Sequence, residues 1–149
     1  MNQLTTERPF HVVQCVELGA SAQAVWEVVG GFYTIHTWHP DIQRTEIPAK
    51  QTSVGPLRRE LTFPGQPVTV EELVFQDNLG WHYEYKWHSG EWGERIKNYR
   101  AEIRVIELAA EGRALLQWSS TFTFTEDAIS EFYWNGFRAL QKRFPITNT

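Results

Sequence analysis

The chain has 149 residues, of which 14 are Lys or Arg and 18 Asp or Glu, giving a formal net charge of −4. It carries 7 Trp, 5 Tyr and 9 Phe, but one Cys and one Met. That length fits one domain, a single Cys excludes an internal disulfide and a Cys-based zinc cluster, and the acidic balance gives no reason to expect nucleic acid or an anionic membrane as partner. No apolar run approaches the ~20 residues of a membrane span. Met1–Arg8 lacks the basic start and apolar stretch of a signal peptide. The expectation is a soluble, cytoplasmic protein without membrane insertion, with its aromatic residues folded inside.

In chain order, Phe10 to Leu18 is rich in β-branched residues and predicts a strand. Ser21 is placed to cap a helix carrying Val25, Trp26, Val28 and Val29, and Gly30-Gly31 ends it through a left-handed conformation. A short apolar piece from Phe32 to Trp38 stops at His39-Pro40. Strands follow over 42–47, 57–63 and 68–76, the last two ended by Pro64-Gly65 and Asp77-Asn78-Leu79-Gly80.

The next three strands alternate most clearly. Over 81–88 the apolar positions are Trp81, Tyr83, Tyr85 and Trp87. Over 98–105 they are Tyr99, Ala101, Ile103 and Val105. Over 114–124 they are Ala114, Leu116, Trp118, Phe122 and Phe124, with Ser120 among them. One apolar and one polar face is the mark of an antiparallel sheet with water on one side. Residues 126–144 hold no Pro and repeat apolar residues at helical spacing, so they predict an amphipathic helix that covers the apolar face. Thr125 is its expected N-cap, with Glu126 and Asp127 at its positive end.

Several stretches in this order are familiar: Ala20-Ser21-Ala22-Gln23-Ala24-Val25-Trp26, Trp38-His39-Pro40-Asp41-Ile42, Val54-Gly55-Pro56-Leu57-Arg58, Val70-Glu71-Glu72-Leu73, Asn98 to Val105 and Gln117 to Phe122. With them the chain resembles the polyketide cyclase/dehydrase and lipid-transport superfamily, in particular a bacterial subgroup of it. The resemblance implies an α+β helix-grip fold, shared with START domains and pollen-allergen-like proteins. A curved antiparallel sheet of about seven strands would wrap a long C-terminal helix, with two short helices after the first strand. It implies one domain over 1–149 with an ordered core of about 10–144. It also implies an elongated cavity between sheet and helix for apolar or aromatic ligands. Some members cyclise or dehydrate polyketides and others carry lipids, sterols or hormones. The scytalone-dehydratase-like cone is the structural alternative, but it begins with a long helix where this chain begins with a strand.

On this reading the ligand-binding candidates are Trp38, Tyr83, Tyr85, Tyr99, Trp118, Phe122, Tyr133, Gly136, Phe137 and Leu140. Each also has a plain packing role, since aromatics dominate cores. Tyr85, Tyr99 and Trp118 carry polar atoms that need partners when buried. The resemblance places Trp38 near the cavity mouth, with His36 and His39 beside it. It also places Arg58 and Glu71 at positions the family often fills with the same residue types. The catalytic candidates are Tyr85, Tyr99, Arg58 and Glu71, with Arg59 and Glu72 taking over if the register slips by one, because a slip reverses the face. Gly136 interrupts a helix at about 1 kcal/mol relative to Ala, which points to close approach by the sheet or a ligand.

No Gly-x-Ser-x-Gly elbow, phosphate loop or dinucleotide fingerprint is present, and no His pair has metal-ligand helix spacing. No cofactor and no metal are expected, and Cys15 reads as a small buried residue. Three functions compete. The first is binding of a small hydrophobic molecule, aromatic or polyketide- or lipid-like. The second is a polyketide cyclase/dehydratase-type enzyme. The third is a protein-interaction module or homodimer, with Trp92 as its contact.

Overall fold

The structure, a computed structural model, describes residues 8–89, 97–124 and 130–147. The expected contact residue Trp92 and the expected cap Thr125-Glu126-Asp127 lie outside these residues.

Seven strands form one antiparallel sheet: β1 (Arg8–Leu18), β2 (Arg44–Glu46), β3 (Arg58–Thr62), β4 (Thr69–Asp77), β5 (His82–Ser89), β6 (Lys97–Glu107) and β7 (Ala114–Phe124). Their spatial order is β1-β7-β6-β5-β4-β3-β2. Helix α1 (Ala22–Val29) and a 3₁₀ turn (Ile35–Thr37) connect β1 to β2, and α2 (Ser130–Arg143) follows β7. The second of the two short helices expected is thus a single 3₁₀ turn.

The alternation read from the sequence decides which face is buried. Tyr83, Tyr85, Tyr99, Ala101, Ile103, Val105, Leu116 and Trp118 are all buried, while the intervening positions stay partly or fully exposed. On α2 the buried residues Tyr133, Gly136, Phe137 and Leu140 follow helical spacing along one inward face. The two walls meet where the Trp118 and Tyr133 rings stack at 4.2 Å.

Local chemistry sets the ends of the elements. Ser21 Oγ accepts the Ala24 N–H at 3.2 Å and caps α1. Gly30 ends α1 with φ −77°, an ordinary right-handed value, so its left-handed freedom is not used. A side chain there would strike the Trp26 indole, and that contact is what requires glycine. Trp81 precedes β5 in the left-handed region (φ 53°), half-buried against the core, and its Nε1 donates to Gln23 Oε1 at 3.1 Å. Asn98 (φ 58°) lies in the irregularity between Lys97 and Arg100 that precedes the regular β6–β7 pairing. Cys15 is exposed on β1, on the face opposite Val12, Val16 and Leu18, and not buried as expected.

The far end of α2 is tied down. Gly19 N–H donates to Phe144 O at 2.9 Å, and a Cβ on Gly19 would collide with the Pro145 carbonyl. No helix among the described residues is long and apolar enough to cross a membrane.

Candidate functional site

Strands β3 and β4 pair Arg59 with Glu71 and Arg58 with Glu72. This register places Arg59 and Glu71 inside, at 0% and 7% exposure. Arg58 stands on the other face, where its Nε bonds Glu72 Oε1 at 3.0 Å and Lys86 Nζ reaches Glu72 Oε2 at 3.3 Å. The expectation that Arg58 faces the interior with Glu71 is therefore corrected, because the inward arginine is Arg59. Glu72 belongs to the outer network. Its burial is outweighed by the bonds from Arg58 and Lys86, which hold its carboxyl below the ordinary range.

Arg59 donates through Nε and Nη1. Nε donates to Glu71 Oε1 at 2.8 Å, and Nη2 lies 2.6 Å from the same oxygen as an ion-pair contact without hydrogen-bond geometry. Nη1 donates to Phe32 O at 2.7 Å and to Tyr83 OH at 3.3 Å. The guanidinium carbon lies 4.4 Å from the Phe32 ring centre and 4.8 Å from that of Tyr85. Burial works against the charge on Arg59, but Tyr83, Glu71 and Tyr85 outweigh it and hold the group above its ordinary value. Burial also raises the Glu71 carboxyl, and Arg59 offsets only part of that. The pair is a fixed positive centre beside an unusually basic carboxylate.

A second network crosses from the sheet to α2. Trp118 Nε1 donates to Tyr85 OH at 3.0 Å. Tyr85 OH lies 3.5 Å from Tyr99 OH, which lies 2.5 Å from Tyr133 OH. Burial raises all four inner phenols, Tyr83 included, so they remain protonated at neutral pH. Such groups donate hydrogen bonds in an otherwise aromatic space. Around them, Phe122 stacks on Phe10 at 5.5 Å, and Phe137 lies 6.4 Å from Trp118. Leu140 is buried one turn further along α2. Buried polar atoms without a partner among the described residues include Nε1 of Trp38, Nε1 of Trp87 and Oγ1 of Thr69. Buried donors are nearly always satisfied, so each needs an explanation.

Trp38 packs at the edge of this interior, 5.6 Å from Trp118. The neighbouring His39 is 1% exposed, whereas His36 is exposed and bonds Thr45 Oγ1 at 2.9 Å. His39 Nε2 lies 2.8 Å from Phe132 O, and Nδ1 accepts the Asp41 N–H at 3.1 Å. Asn135 Nδ2 donates to Asp41 Oδ2 at 3.0 Å. Gly136 leaves room for this loop rather than for the sheet. A Cβ there would sit 2.7 Å from His39 Cδ2 and 3.1 Å from Trp38 Cζ3. Because both ring nitrogens of His39 are bonded, the imidazole cannot swing away. Gly136→Ala is thus expected to destabilise the protein by up to about 2 kcal/mol in urea unfolding, since overpacking costs roughly 1–3 kcal/mol against the ~1 kcal/mol that Ala gains in a helix.

Sequence reasoning singled out His39 only as a residue near the mouth. Its role as the contact between loop and helix needs two distant facts read together, the His39-Pro40 corner and the glycine inside α2. No three metal-ligating side chains converge among the described residues.

The comparisons agree with this architecture. An uncharacterized protein from Bacillus thuringiensis superimposes with a TM-score of 0.79 at 26% identity, covering 91% of this chain and 98% of that one. XoxI from Bacillus cereus gives 0.77 at 28% identity, over 90% and 94%. Zhui aromatase/cyclase from Streptomyces sp. R1128 gives 0.73 at 16% identity, over 91% and 93%, a likeness of fold. Among curated proteins none matches the chain. Residues 9–144 match the family described as Polyketide cyclase / dehydrase and lipid transport. A curved seven-stranded sheet, a covering C-terminal helix and a match along nearly its whole length establish that the chain belongs to that polyketide cyclase/dehydrase and lipid-transport family.

Proposed function

We propose that the protein binds a small, largely aromatic molecule bearing hydrogen-bond acceptors, held between the sheet and α2. The observation that carries this reading is that buried donors, among them Trp38 Nε1, Trp87 Nε1 and the Thr69 hydroxyl, have no partner among the described residues, in an interior walled by aromatic rings. Ligand sites combine such apolar walls with a few orienting polar groups. The family and the likeness to an aromatase/cyclase support a ligand of this class. A saturated lipid offers only its head group to these donors and leaves the others unmet.

A second reading, turnover of that ligand, is favoured by Glu71. A carboxylate made more basic by burial, fixed beside Arg59, is suited to take a proton from carbon next to a carbonyl. Arg59 would steady the resulting enolate, and the protonated phenols of Tyr85 and Tyr99 would donate to oxygen.

Three experiments test the two readings. Native mass spectrometry of the protein from its own host should reveal a co-purifying molecule of aromatic mass. Tryptophan fluorescence should report binding of 1,8-dihydroxyanthraquinone but not of palmitate. Trp87→Phe should weaken that binding about 5–10-fold, the worth of one hydrogen bond. Equal binding by palmitate, or an unchanged Kd for Trp87→Phe, overturns the binding reading. Glu71→Gln that binds the probe but no longer converts a co-purified substrate supports turnover.

A further inference from the structure

We propose that Tyr99 anchors the polar end of the guest, and that the atom it holds is a carbonyl oxygen rather than a hydroxyl. This rests on the binding reading above and adds to it the kind of oxygen the interior selects.

The selection comes from the number of hydrogens in the buried network. The chain Trp118–Tyr85–Tyr99–Tyr133 has three contacts: Trp118 Nε1 to Tyr85 OH, Tyr85 OH to Tyr99 OH, and Tyr99 OH to Tyr133 OH. It has four hydrogens, one on the indole and one on each phenol. Burial keeps the phenols protonated, so none of these hydrogens is lost. Each contact holds one hydrogen. An indole N–H only donates, so Trp118 fills the first contact. Two contacts are left for three phenolic hydrogens, and one hydrogen has no acceptor within the chain. Ser120, beside Tyr133, does not change the balance. Its Oγ is buried without a partner among the described residues, and a hydroxyl brings a hydrogen with the oxygen it offers.

The surplus hydrogen belongs on Tyr99. Tyr85 is 1% exposed and Trp118 and Tyr133 are 0%, whereas Tyr99 is 8% exposed and is the phenol within reach of a guest. Tyr99 is also the middle phenol of the three, so it can accept from Tyr85 and Tyr133 together and turn its own hydrogen outward. A hydroxyl that accepts hydrogen bonds becomes a stronger donor in turn. The rings beside it, Phe122 at 6.1 Å and Trp87 at 6.4 Å, bring no oxygen. Trp87 Nε1 is itself a buried donor without a partner among the described residues. Glu71 pairs with Trp87 across β4 and β5, but its carboxylate is bonded to Arg59 and does not take the indole hydrogen. A guest hydroxyl would add one more hydrogen to this corner. A carbonyl oxygen adds two lone pairs and none, and so completes the network.

Fluorenone, fluorenol and fluorene test this, because one tricyclic frame carries a carbonyl, a hydroxyl or a methylene at the same position. Equilibrium dialysis should give fluorenone a Kd about 5–10-fold below that of fluorenol, the worth of one hydrogen bond. Tyr99→Phe should weaken fluorenone by a similar factor and leave fluorene unchanged, whereas a purely structural role for Tyr99 would move all three together. The infrared carbonyl band of fluorenone bound to the parent should lie below its position in alkane, and Tyr99→Phe should return it there. The Kd ratio and the band in the parent require no variant, so both still decide the matter if Tyr99→Phe does not fold. The proposal is overturned if fluorenol binds as tightly as fluorenone, if the band in the parent stays at its alkane position, or if Tyr99→Phe weakens fluorene as much as fluorenone. In each of those cases binding itself survives and only the choice of oxygen falls. Failure of all three compounds to bind overturns both.

Discussion

Arg59→Met is expected to lower the folding free energy by about 3–5 kcal/mol at pH 7.5, the usual consequence of leaving one partner of a buried ion pair alone. The variant keeps the apolar volume of the stem inside the Phe32, Tyr83 and Tyr85 rings. What it loses is every bond to Glu71 Oε1 and the donor shared by Phe32 O and Tyr83 OH. Glu71 must then stay buried with a charge or take up a proton. A carboxyl whose folded pKa is raised stabilises the fold at low pH, and that contribution is lost as pH rises through the raised value. Burial already raises Glu71 with Arg59 present, and removing Arg59 raises it further. The deficit of Arg59→Met should therefore shrink on going from pH 7.5 toward the ordinary carboxylate range. Urea unfolding at both pH values checks this, and an equal deficit at both would show that the lost charge pairing is not responsible. Arg59→Met combined with Glu71→Leu should recover most of the loss, because two well-packed apolar residues often match a buried pair in stability. Such a protein would fold and yet lack the polar centre of the interior, which makes it the cleanest background for testing binding and turnover.

Trp118→Ala should be comparably severe, about 3–5 kcal/mol, as for other large buried aromatics cut back to Ala. Trp118 is 0% exposed and joins the two walls. It stacks on Tyr133, lies near Trp38, Phe132 and Phe137, and donates to Tyr85 OH. Its removal leaves a hole the size of an indole, rimmed by rings that stand on two different elements. Indole itself should refill that hole. At a concentration ten times its Kd it should return about 1.4 kcal/mol to the variant and nothing to the parent. Thermal unfolding with and without indole measures both, and a variant that ignores indole would show that the walls have collapsed onto each other.

The sequence showed the sheet, its inward face and the covering helix because long strands repeat their pattern many times. Over Ala114 to Phe124 every second residue votes for the same face. The short strands were less legible. β3 holds Arg58, Arg59 and Glu60 in succession, so hydropathy alone left two registers open. The signal that settles it is Leu61, which shares the parity of Arg59 and is 2% exposed. On β4, Val70 and Leu73 favour opposite faces, and irregular pairing at Val70/Glu71 and Leu73/Phe75 changes the parity along the strand. Trp81 reads as the first inner position of an alternating strand; its positive φ leaves it just outside the regular strand, while its ring still packs against the core. The clasp of His39 on α2 was illegible for another reason. It joins residues 93 apart in sequence, and no local period reports such a contact.

The strand order has a consequence for how the molecule is made. Arg8–Leu18 pairs along its whole length with Ala114–Phe124, roughly a hundred residues later in the chain. On a ribosome adding about 5–20 residues per second, the first strand waits roughly 5–20 s for its only neighbour in the sheet. During that interval Val12, Val16 and Leu18 have neither β7 nor α2 to cover them. Closing so long a loop is also entropically slow, so refolding should be governed by the meeting of β1 with β7 rather than by the hairpins between them. The nascent chain is thus most exposed to aggregation just before β7 emerges, and any chaperone that guards it would be needed at β1 until then.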